Sequence, residues 1–203
     1  MLNIKSLVIA MIASGCIHLP AMEPQPRGYL ARERAAVAIT VECAWGAPRT
    51  ASGVAISERH ILTAAHVTEC PTIPTIRVWF FDADGEVDRQ SRFAVVERED
   101  LDSDVALIEV FAQNNIGRGY VPPTLSREVE VGCAVLAFPK REVKCGEFLS
   151  QSTLDVSTRS GNSGSGVYDQ DGALVGIVSS SLASGSTYVA RVNETWLRGV
   201  LKP

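Results

Sequence analysis

Short apolar runs separated by turn-forming residues make up most of the chain from residue 31 onward. Runs of this length, bounded by Gly, Pro, Asn and Asp, are typical of β-strands, and many strands at short spacing indicate a barrel or a sandwich. Asp84-Gly85 and Asp171-Gly172 lie between such runs, where both residue types tolerate the positive φ of tight hairpin turns. The pattern predicts an all-β fold. Its clearest strands are residues 36–43, 52–57, 76–81, 92–96, 105–110, 134–138 and 174–179.

Two segments interrupt this pattern. Residues 112–125 are rich in Asn, Gly and Pro, which break strands, so we predict that they connect two halves of the folded part. The halves then span about 31–111 and 126–203. Near the C-terminus the spacing of the apolar residues places them on one face of a short helix that closes the fold. These residues are Trp196, Leu197, Val200 and Leu201.

The N-terminus has the features of an export signal. Lys5 precedes an apolar run at 7–13, which is too short to cross a bilayer as a helix. Ser14-Gly15-Cys16 follows and resembles the lipobox of bacterial lipoproteins, so removal of residues 1–15 would leave Cys16 as a lipidated first residue. An ordinary cleaved signal and a retained signal anchor are the alternatives. The proline-containing residues 16–30 indicate a tether, and we expect an exported, periplasmic or cell-envelope protein held by lipid at a membrane.

Composition narrows the classes of function. The chain has 203 residues, of which 46% are hydrophobic, which suits one sizeable domain or two small packed halves. The net charge is −4, and the positive and negative residues are interspersed. A nucleic-acid partner is excluded because such a partner requires a basic stripe. The sequence does not indicate an oligomeric state.

Five cysteines are an odd number for an exported protein. If Cys16 carries lipid, the other four can form two disulfides in an oxidising compartment, in any of three pairings. We favour Cys43 with Cys70 and Cys133 with Cys145, because each pair lies within one predicted half and the second pair flanks a hairpin-like segment. Buried free thiols are the alternative. The cysteine spacing indicates no zinc site.

Three short motifs carry chemistry: Thr63-Ala64-Ala65-His66, Asp104-Val105-Ala106-Leu107-Ile108, and Gly161-Asn162-Ser163-Gly164-Ser165-Gly166. A serine hydroxyl is a poor nucleophile at neutral pH. Acyl transfer therefore needs an imidazole that takes its proton and a carboxylate that holds the imidazole in the useful tautomer. The motifs and their His, Asp, Ser order resemble the trypsin-like (chymotrypsin-fold) serine proteases over residues 31–203. The resemblance implies two antiparallel β-barrels with the active site in the cleft between them.

Local context selects the base and the acid. His66 follows small residues after a predicted strand, whereas the other two histidines lie in the tether and at the start of a strand. Asp100, Asp102 and Asp104 share one acidic loop, and Asp104 alone directly precedes the apolar strand at 105–110, which would hold a buried carboxylate rigidly. The other two fit a solvated loop face. We predict His66 as the base and Asp104 as the acid.

Ser163 is the predicted nucleophile because the glycines around it permit a sharp turn that presents the hydroxyl. The resemblance implies an oxyanion hole formed by the backbone N–H groups of Gly161 and Ser163. Asn162 stands where the digestive members carry an aspartate that pairs with a newly cut N-terminus. Gly-Asn-Ser-Gly instead looks like the bacterial branches, including glutamyl endopeptidases and housekeeping periplasmic proteases, which need no such salt bridge. The mechanism requires no cofactor.

The family's layout also implies a primary specificity pocket. No acidic residue stands at its base, which argues against a preference for Arg or Lys. Val178 and Ser179 occupy the strand in which glutamyl endopeptidases place a histidine, so glutamate specificity is not supported. Serines in place of glycines would narrow the pocket, and we expect a small or medium uncharged residue before the cleaved bond. The layout places Ser157 at the base and Ser179, Ser180, Ser181 and Ser186 along the walls.

The leading hypothesis is a serine endopeptidase of the cell envelope that cleaves protein or peptide substrates through an acyl-enzyme. The alternative is a catalytically inactive protease-fold binding module. An esterase of the α/β-hydrolase type would run Ser, Asp, His and alternate helices with strands, and neither pattern is present. A cluster of acidic residues completes no known calcium loop and fits a solvated hairpin tip, so no metal site is predicted. The cluster comprises Asp82, Asp84, Glu86 and Asp88.

Overall fold

The computed structural model describes residues 29–81, 90–111, 125 and 129–198. The predicted signal, nearly all of the predicted tether, the Asp84-Gly85 turn with its acidic neighbours, and all of the predicted linker except Leu125 lie outside the described residues. The first half contains α1 (Tyr29–Ala35), β1 (Ala36–Glu42), β2 (Arg49–Ala55), β3 (His60–Thr63), α2 (Ala65–Thr68), β4 (Thr75–Trp79), β5 (Arg92–Asp100) and β6 (Val105–Val110). The second half contains β7 (Val131–Leu136), β8 (Glu142–Ser150), β9 (Thr153–Leu154), β10 (Gly166–Tyr168), β11 (Leu174–Ser181), β12 (Thr187–Arg191) and α3 (Glu194–Arg198).

Each half closes into an antiparallel β-barrel. The strand order is β1-β2-β3-β6-β5-β4 in the first barrel and β10-β11-β12-β9-β8-β7 in the second. The predicted all-β fold with two antiparallel barrels is confirmed, and α3 confirms the short C-terminal helix. In the parts of the chain that are described, no helix combines the length and apolar character needed to cross a membrane.

The alternation of side chains along β7 shows how the two barrels pack together. Cys133 and Val135 belong to a large apolar cluster that also contains the interior of the first barrel. Ala134 and Leu136 point to the opposite face and belong to a smaller cluster formed only by residues of the second half. The second barrel therefore buries one face inside itself and another against the first barrel.

Helix α1 connects the two barrels near the start of the described chain. It begins two residues before the predicted start of the folded part at residue 31. Buried Arg32 donates from Nε to the Gly172 carbonyl at 2.9 Å and from Nη2 to the Asp171 carbonyl at 3.0 Å. Glu33 pairs with Arg141 at 2.9 Å. Although α1 leads directly into β1 of the first barrel, its side chains thus bind the second.

The structure forms both favoured disulfides. Cys43, next to the end of β1, is bonded to Cys70, which lies just beyond α2. Cys133 is bonded to Cys145, the residue directly opposite it in the β7–β8 ladder. The first bridge closes a loop that contains β2, β3 and α2, and it therefore restrains the segment on which His66 lies.

Candidate active site

Paired strands bring the predicted base and acid together. Thr63 at the end of β3 lies opposite Ala106 in β6, so His66 and Asp104 meet at the same end of the first barrel. The His66 Nδ1 atom lies 2.9 Å from Oδ2 and 3.0 Å from Oδ1 of Asp104, and the His66 backbone N–H donates to Oδ1 at 2.9 Å. A carboxylate in this position holds the ring proton on Nδ1 and leaves Nε2 to accept a proton.

Asp104 has an unusual backbone and a stabilised charge. Its φ is 52°, in the left-handed region that non-glycine residues rarely adopt and that often marks functional sites. Burial raises the pKa of the Asp104 carboxyl, but hydrogen bonds from His66 and from the Ser179 hydroxyl outweigh burial, so the pKa lies below its ordinary value. The carboxylate is therefore ionised at neutral pH.

The other two carboxylates of this acidic loop do not contact the His66 ring. Asp100 accepts a hydrogen bond from the Ser103 backbone N–H at 3.1 Å, which lowers the pKa of Asp100 and stabilises the turn before Asp104. Asp102 is exposed. Of the three carboxylates weighed as the acid, Asp104 is the one in contact with the base.

The loop that carries Ser163 lies directly against the first barrel. At Gly164, whose φ is 87°, an added Cβ would lie 2.1 Å from the Ser52 carbonyl oxygen and 2.3 Å from Thr63 Oγ1. Ser52 donates from its backbone N–H to the Ser163 carbonyl and from its hydroxyl to the Gly161 carbonyl, both at 2.9 Å. A strand of the first barrel thus fixes the nucleophile loop of the second.

Asn162 shapes the same loop without a charged partner. Its side chain is buried, with Nδ2 donating to the Phe138 carbonyl at 2.6 Å and Oδ1 accepting from the Arg159 backbone N–H at 2.9 Å. The Phe138 backbone N–H in turn donates to the Ser52 hydroxyl at 3.1 Å. Backbone groups therefore satisfy both ends of the amide, which is consistent with a loop that needs no salt bridge to a new N-terminus.

Two backbone donors of this loop have no acceptor among the residues that the structure describes. The φ of Gly161 is 92°, and an added Cβ there would lie 2.5 Å from the Phe138 ring. Within the described ranges, no group accepts a hydrogen bond from the N–H of Gly161 or of Ser163. Donors that are fixed in place and unpaired are what stabilises a developing oxyanion. These are the two donors that the family resemblance implies.

Ser163 and His66 line one cleft of about 360 Å³. In this structure the Ser163 hydroxyl donates to the Ser179 carbonyl at 3.2 Å and not to His66. A change between staggered rotamers about the Cα–Cβ bond would redirect the hydroxyl. Catalytic hydrogen bonds are often misaligned before substrate binds. The other lining residues are Pro48, Arg49, Thr50, Val67, Phe138, Ser160 and Gly161.

The serines predicted for the specificity pocket have unequal environments. Ser157 is exposed, and its carbonyl accepts a hydrogen bond from Lys144 Nζ at 2.9 Å. Ser180 is also exposed. The Ser179 hydroxyl donates to Asp104 and so contacts the predicted acid.

Two separate sets of hydroxyl contacts include the remaining predicted serines. Ser181 Oγ donates to the Thr158 carbonyl at 2.8 Å, and the hydroxyls of buried Thr158 and Thr187 lie 2.8 Å apart. Ser186 is buried and pairs with Ser184 at 2.6 Å. Thr158 and Thr187 were not predicted. All of these side chains are uncharged, and Thr158, Ser186 and Thr187 are buried.

The described residues contain no group of three or more His, Cys, Asp or Glu side chains placed to hold a metal ion. The acidic cluster weighed for calcium, residues 82–88, lies outside them.

Comparisons with known proteins identify the family and the fold. A family model described as "Trypsin-like peptidase domain" matches residues 51–177. The chain resembles the structure of a serine endoprotease from Yersinia pestis, with a TM-score of 0.61 and 22% identity over 84% of this chain and 63% of that one. It also resembles the structure of Deg5, with a TM-score of 0.60 and 18% identity over 82% and 87% of the two chains. The chain thus spans less than two thirds of the Yersinia pestis structure, and at these identities both likenesses show the fold alone. A search of curated proteins finds no sequence match.

Proposed function

The chain belongs to the trypsin-like peptidase family, and on that premise we propose that it is a serine endopeptidase with Ser163 as nucleophile, His66 as base and Asp104 as orienting acid. One observation carries the proposal. The His66 imidazole, held by Asp104, shares a cleft with Ser163 and with the unpaired N–H groups of Gly161 and Ser163. This combination of base, nucleophile and oxyanion donors is what peptide-bond hydrolysis through an acyl-enzyme requires.

The proposed reaction runs in two steps. Ser163 Oγ attacks the peptide carbonyl carbon while His66 Nε2 takes the hydroxyl proton, and the N–H groups of Gly161 and Ser163 hold the oxyanion. His66 then returns the proton to the leaving amine, the peptide bond breaks, and an acyl-Ser163 remains. A water molecule, deprotonated by His66, attacks the acyl carbon in the same way and releases the acid. Asp104 stays ionised throughout and stabilises the imidazolium.

We further propose that the enzyme acts on proteins or peptides outside the cytoplasm, attached to a membrane through lipidated Cys16. The two disulfides support an oxidising compartment. The uncharged hydroxyls of Thr158 and Ser181, which contact each other, support a small or medium uncharged residue before the cleaved bond. A peptide library that shows strong preference for Arg, Lys or Glu at that position would contradict this specificity.

Labelling of the full chain with a fluorophosphonate probe tests the proposed activity. We expect one covalent adduct on Ser163 in the folded protein, and none after denaturation or in Ser163→Ala. Ser150→Ala, which alters an exposed serine in β8, is the matched control and should label normally. No labelling of the folded protein would favour the inactive binding module. The Ser163 hydroxyl bonded to Ser179 is the feature that favours this second candidate.

A further inference from the structure

One fixed positive charge lines the cleft beside Ser163. Arg49, the first residue of β2, is the only Lys, Arg, Asp or Glu among the described lining residues. Nothing in the proposed reaction uses it. A charged group at the wall of a reaction cleft affects which substrates the cleft accepts, because a complementary charge gains a hydrogen-bonded ion pair there.

The contacts of Arg49 hold the guanidinium without neutralising it. Nη1 donates to the His66 carbonyl at 3.2 Å, and Nη2 donates to the Glu69 carbonyl and lies 3.2 Å and 3.4 Å from the sulfurs of Cys43 and Cys70. All these partners are uncharged. In the described part of the chain no carboxylate pairs with Arg49, so the positive charge is oriented in advance and available to a ligand.

The position of the cleft indicates which part of a substrate would meet Arg49. The residues implied to bind the segment before the cleaved bond lie on β11 and at Ser157 and Ser186, and none of them lines this cleft. His66 does line it, and His66 must deliver a proton to the amine that leaves. The leaving segment therefore lies on the His66 side, in the cleft that contains Arg49. A cleft of about 360 Å³ is in the size range of small-ligand pockets.

From this geometry we infer that Arg49 selects substrates with an acidic side chain at the first or second residue after the cleaved bond. The inference rests on the proposed peptidase function and extends it to the leaving side of the substrate. The carboxylate would accept hydrogen bonds from guanidinium N–H groups that its present partners leave unused, since Arg carries five donors. Glu and Asp are the substrate side chains that fit.

Matched peptides test the inference. Two substrates that differ only by Asp or Asn at the first position after the cleaved bond, and a second pair that differs at the second position, are compared by kcat/KM on the full chain. We expect at least one Asp peptide to be preferred about fivefold, the size of a partly exposed ion pair. Raising the ionic strength from about 0.05 M to about 0.5 M should reduce the preference, because the pair is open to solvent.

Variants assign the preference to one side chain. The measured quantity is the ratio of kcat/KM for the Asp peptide to kcat/KM for the Asn peptide. Arg49→Gln should bring this ratio to about one, Arg49→Lys should keep part of the preference for Asp, and Arg49→Glu should reverse it. Because the readout is a ratio, a general loss of activity cancels. Arg198→Gln in α3 changes net charge equally at an exposed site and should leave the ratio unchanged.

A binding measurement separates this inference from the proposed function. Ser163→Ala protein should bind the preferred Asp peptide about fivefold more tightly than its Asn counterpart, and the additional Arg49→Gln change should equalise the two. Equal binding, or a ratio unaffected by Arg49→Gln, overturns the inference even where Ser163 labels with fluorophosphonate. Absence of labelling together with a retained binding preference overturns the peptidase proposal alone.

Discussion

The two barrels contribute to the site in different ways. In the first barrel, the base and the acid follow and precede two paired strands, and they contact each other through three contacts of 2.9 to 3.0 Å. In the second barrel, Ser163 lies in an irregular loop whose nearest supports include Ser52 of the first barrel. The base and the acid thus both come from the first barrel, and the second barrel adds one hydrogen bond, from Ser179 to Asp104. The nucleophile loop, by contrast, is shaped across the boundary between the two barrels.

This difference indicates where the site is robust. Changes at the boundary between the barrels should disturb the nucleophile and its oxyanion donors while His66 and Asp104 remain in contact. Changes at Asp104, which makes no hydrogen bond to the nucleophile loop among the described residues, should disturb the base while Ser163 and its loop keep their geometry. Variants that separate these two effects test the comparison directly.

Asp104→Asn should cause the largest loss of activity, and the structural change should stay within the first barrel. An amide donor at this position would favour the His66 tautomer with the proton on Nε2, so we expect kcat to fall about 10⁴-fold with the fold preserved. Activity assays and ¹⁵N NMR of the His66 ring would measure this loss and the tautomer. Asp102→Asn, at an exposed position of the same loop, is the control and should leave both unchanged. A comparable loss in the control would place the effect in the loop rather than in the pair.

Gly164→Ala should break the contact between the barrels. The added methyl would meet the Ser52 carbonyl oxygen at 2.1 Å, and the φ of 87° is unfavourable for alanine. We expect the free energy of unfolding to fall by about 2–5 kcal/mol, from overpacking and backbone strain together. Gly185→Ala is a matched control, because its φ is 89° with no atom within 4 Å of the added Cβ. It should lose only about 1–2 kcal/mol. Equal losses in urea unfolding would contradict the proposed role of the close contact.

Ser52→Ala should destabilise the nucleophile loop less than Gly164→Ala does. It leaves the buried Gly161 carbonyl and Phe138 N–H without their hydroxyl partner, at a cost of about 1–3 kcal/mol in unfolding free energy. The backbone hydrogen bond from Ser52 to Ser163 remains. We expect slower fluorophosphonate labelling of Ser163 with an unchanged NMR signal from the His66 ring. A shifted His66 signal would show that the two halves of the site are coupled after all.

The pH dependence of stability should give the smallest effect. The pKa of the Asp104 carboxyl in the folded protein lies below its ordinary value of 3.8, so its ionised form stabilises the fold above pH 3.8. That contribution is lost as the pH falls through the lowered pKa. The difference in unfolding free energy between the wild-type protein and Asp104→Asn should therefore shrink below pH 3.8. A difference that stays constant down to pH 2 would show that the charge of Asp104 contributes nothing to folding.

The fold was predicted where local pattern carries the information. Apolar runs with turn residues between them identified strands in both barrels, but they did not identify β8, β9, β10 or β12. In β8, polar side chains interrupt the apolar ones, and none of its residues is buried. Helix α1 was not predicted either. Its sequence, with three charged residues in seven, shows no helical repeat of apolar residues. Arg32 is buried against the Gly172 turn, which is remote in the sequence, and no local pattern encodes that contact.

The site divides in the same way. His66, Asp104 and Ser163 each lie in a recognisable local motif, so their selection needed no structure. Ser52 and Arg49 have no motif, and their roles follow from contacts with residues remote in the sequence. At the predicted pocket, the layout of a family indicated Ser157, which is exposed, whereas the hydroxyl in contact with Ser181 belongs to the neighbouring Thr158, which no motif indicated.

The attachment of α1 has a mechanical consequence. A pull on the chain ahead of residue 29 reaches Arg32 and Glu33 before it reaches β1, and these side chains are fastened to Asp171, Gly172 and Arg141 of the opposite barrel. The force is therefore shared with the hairpin between β10 and β11, and it does not act on β1 alone. If the residues before 29 act as a tether, tension on them would leave the cleft between the barrels intact.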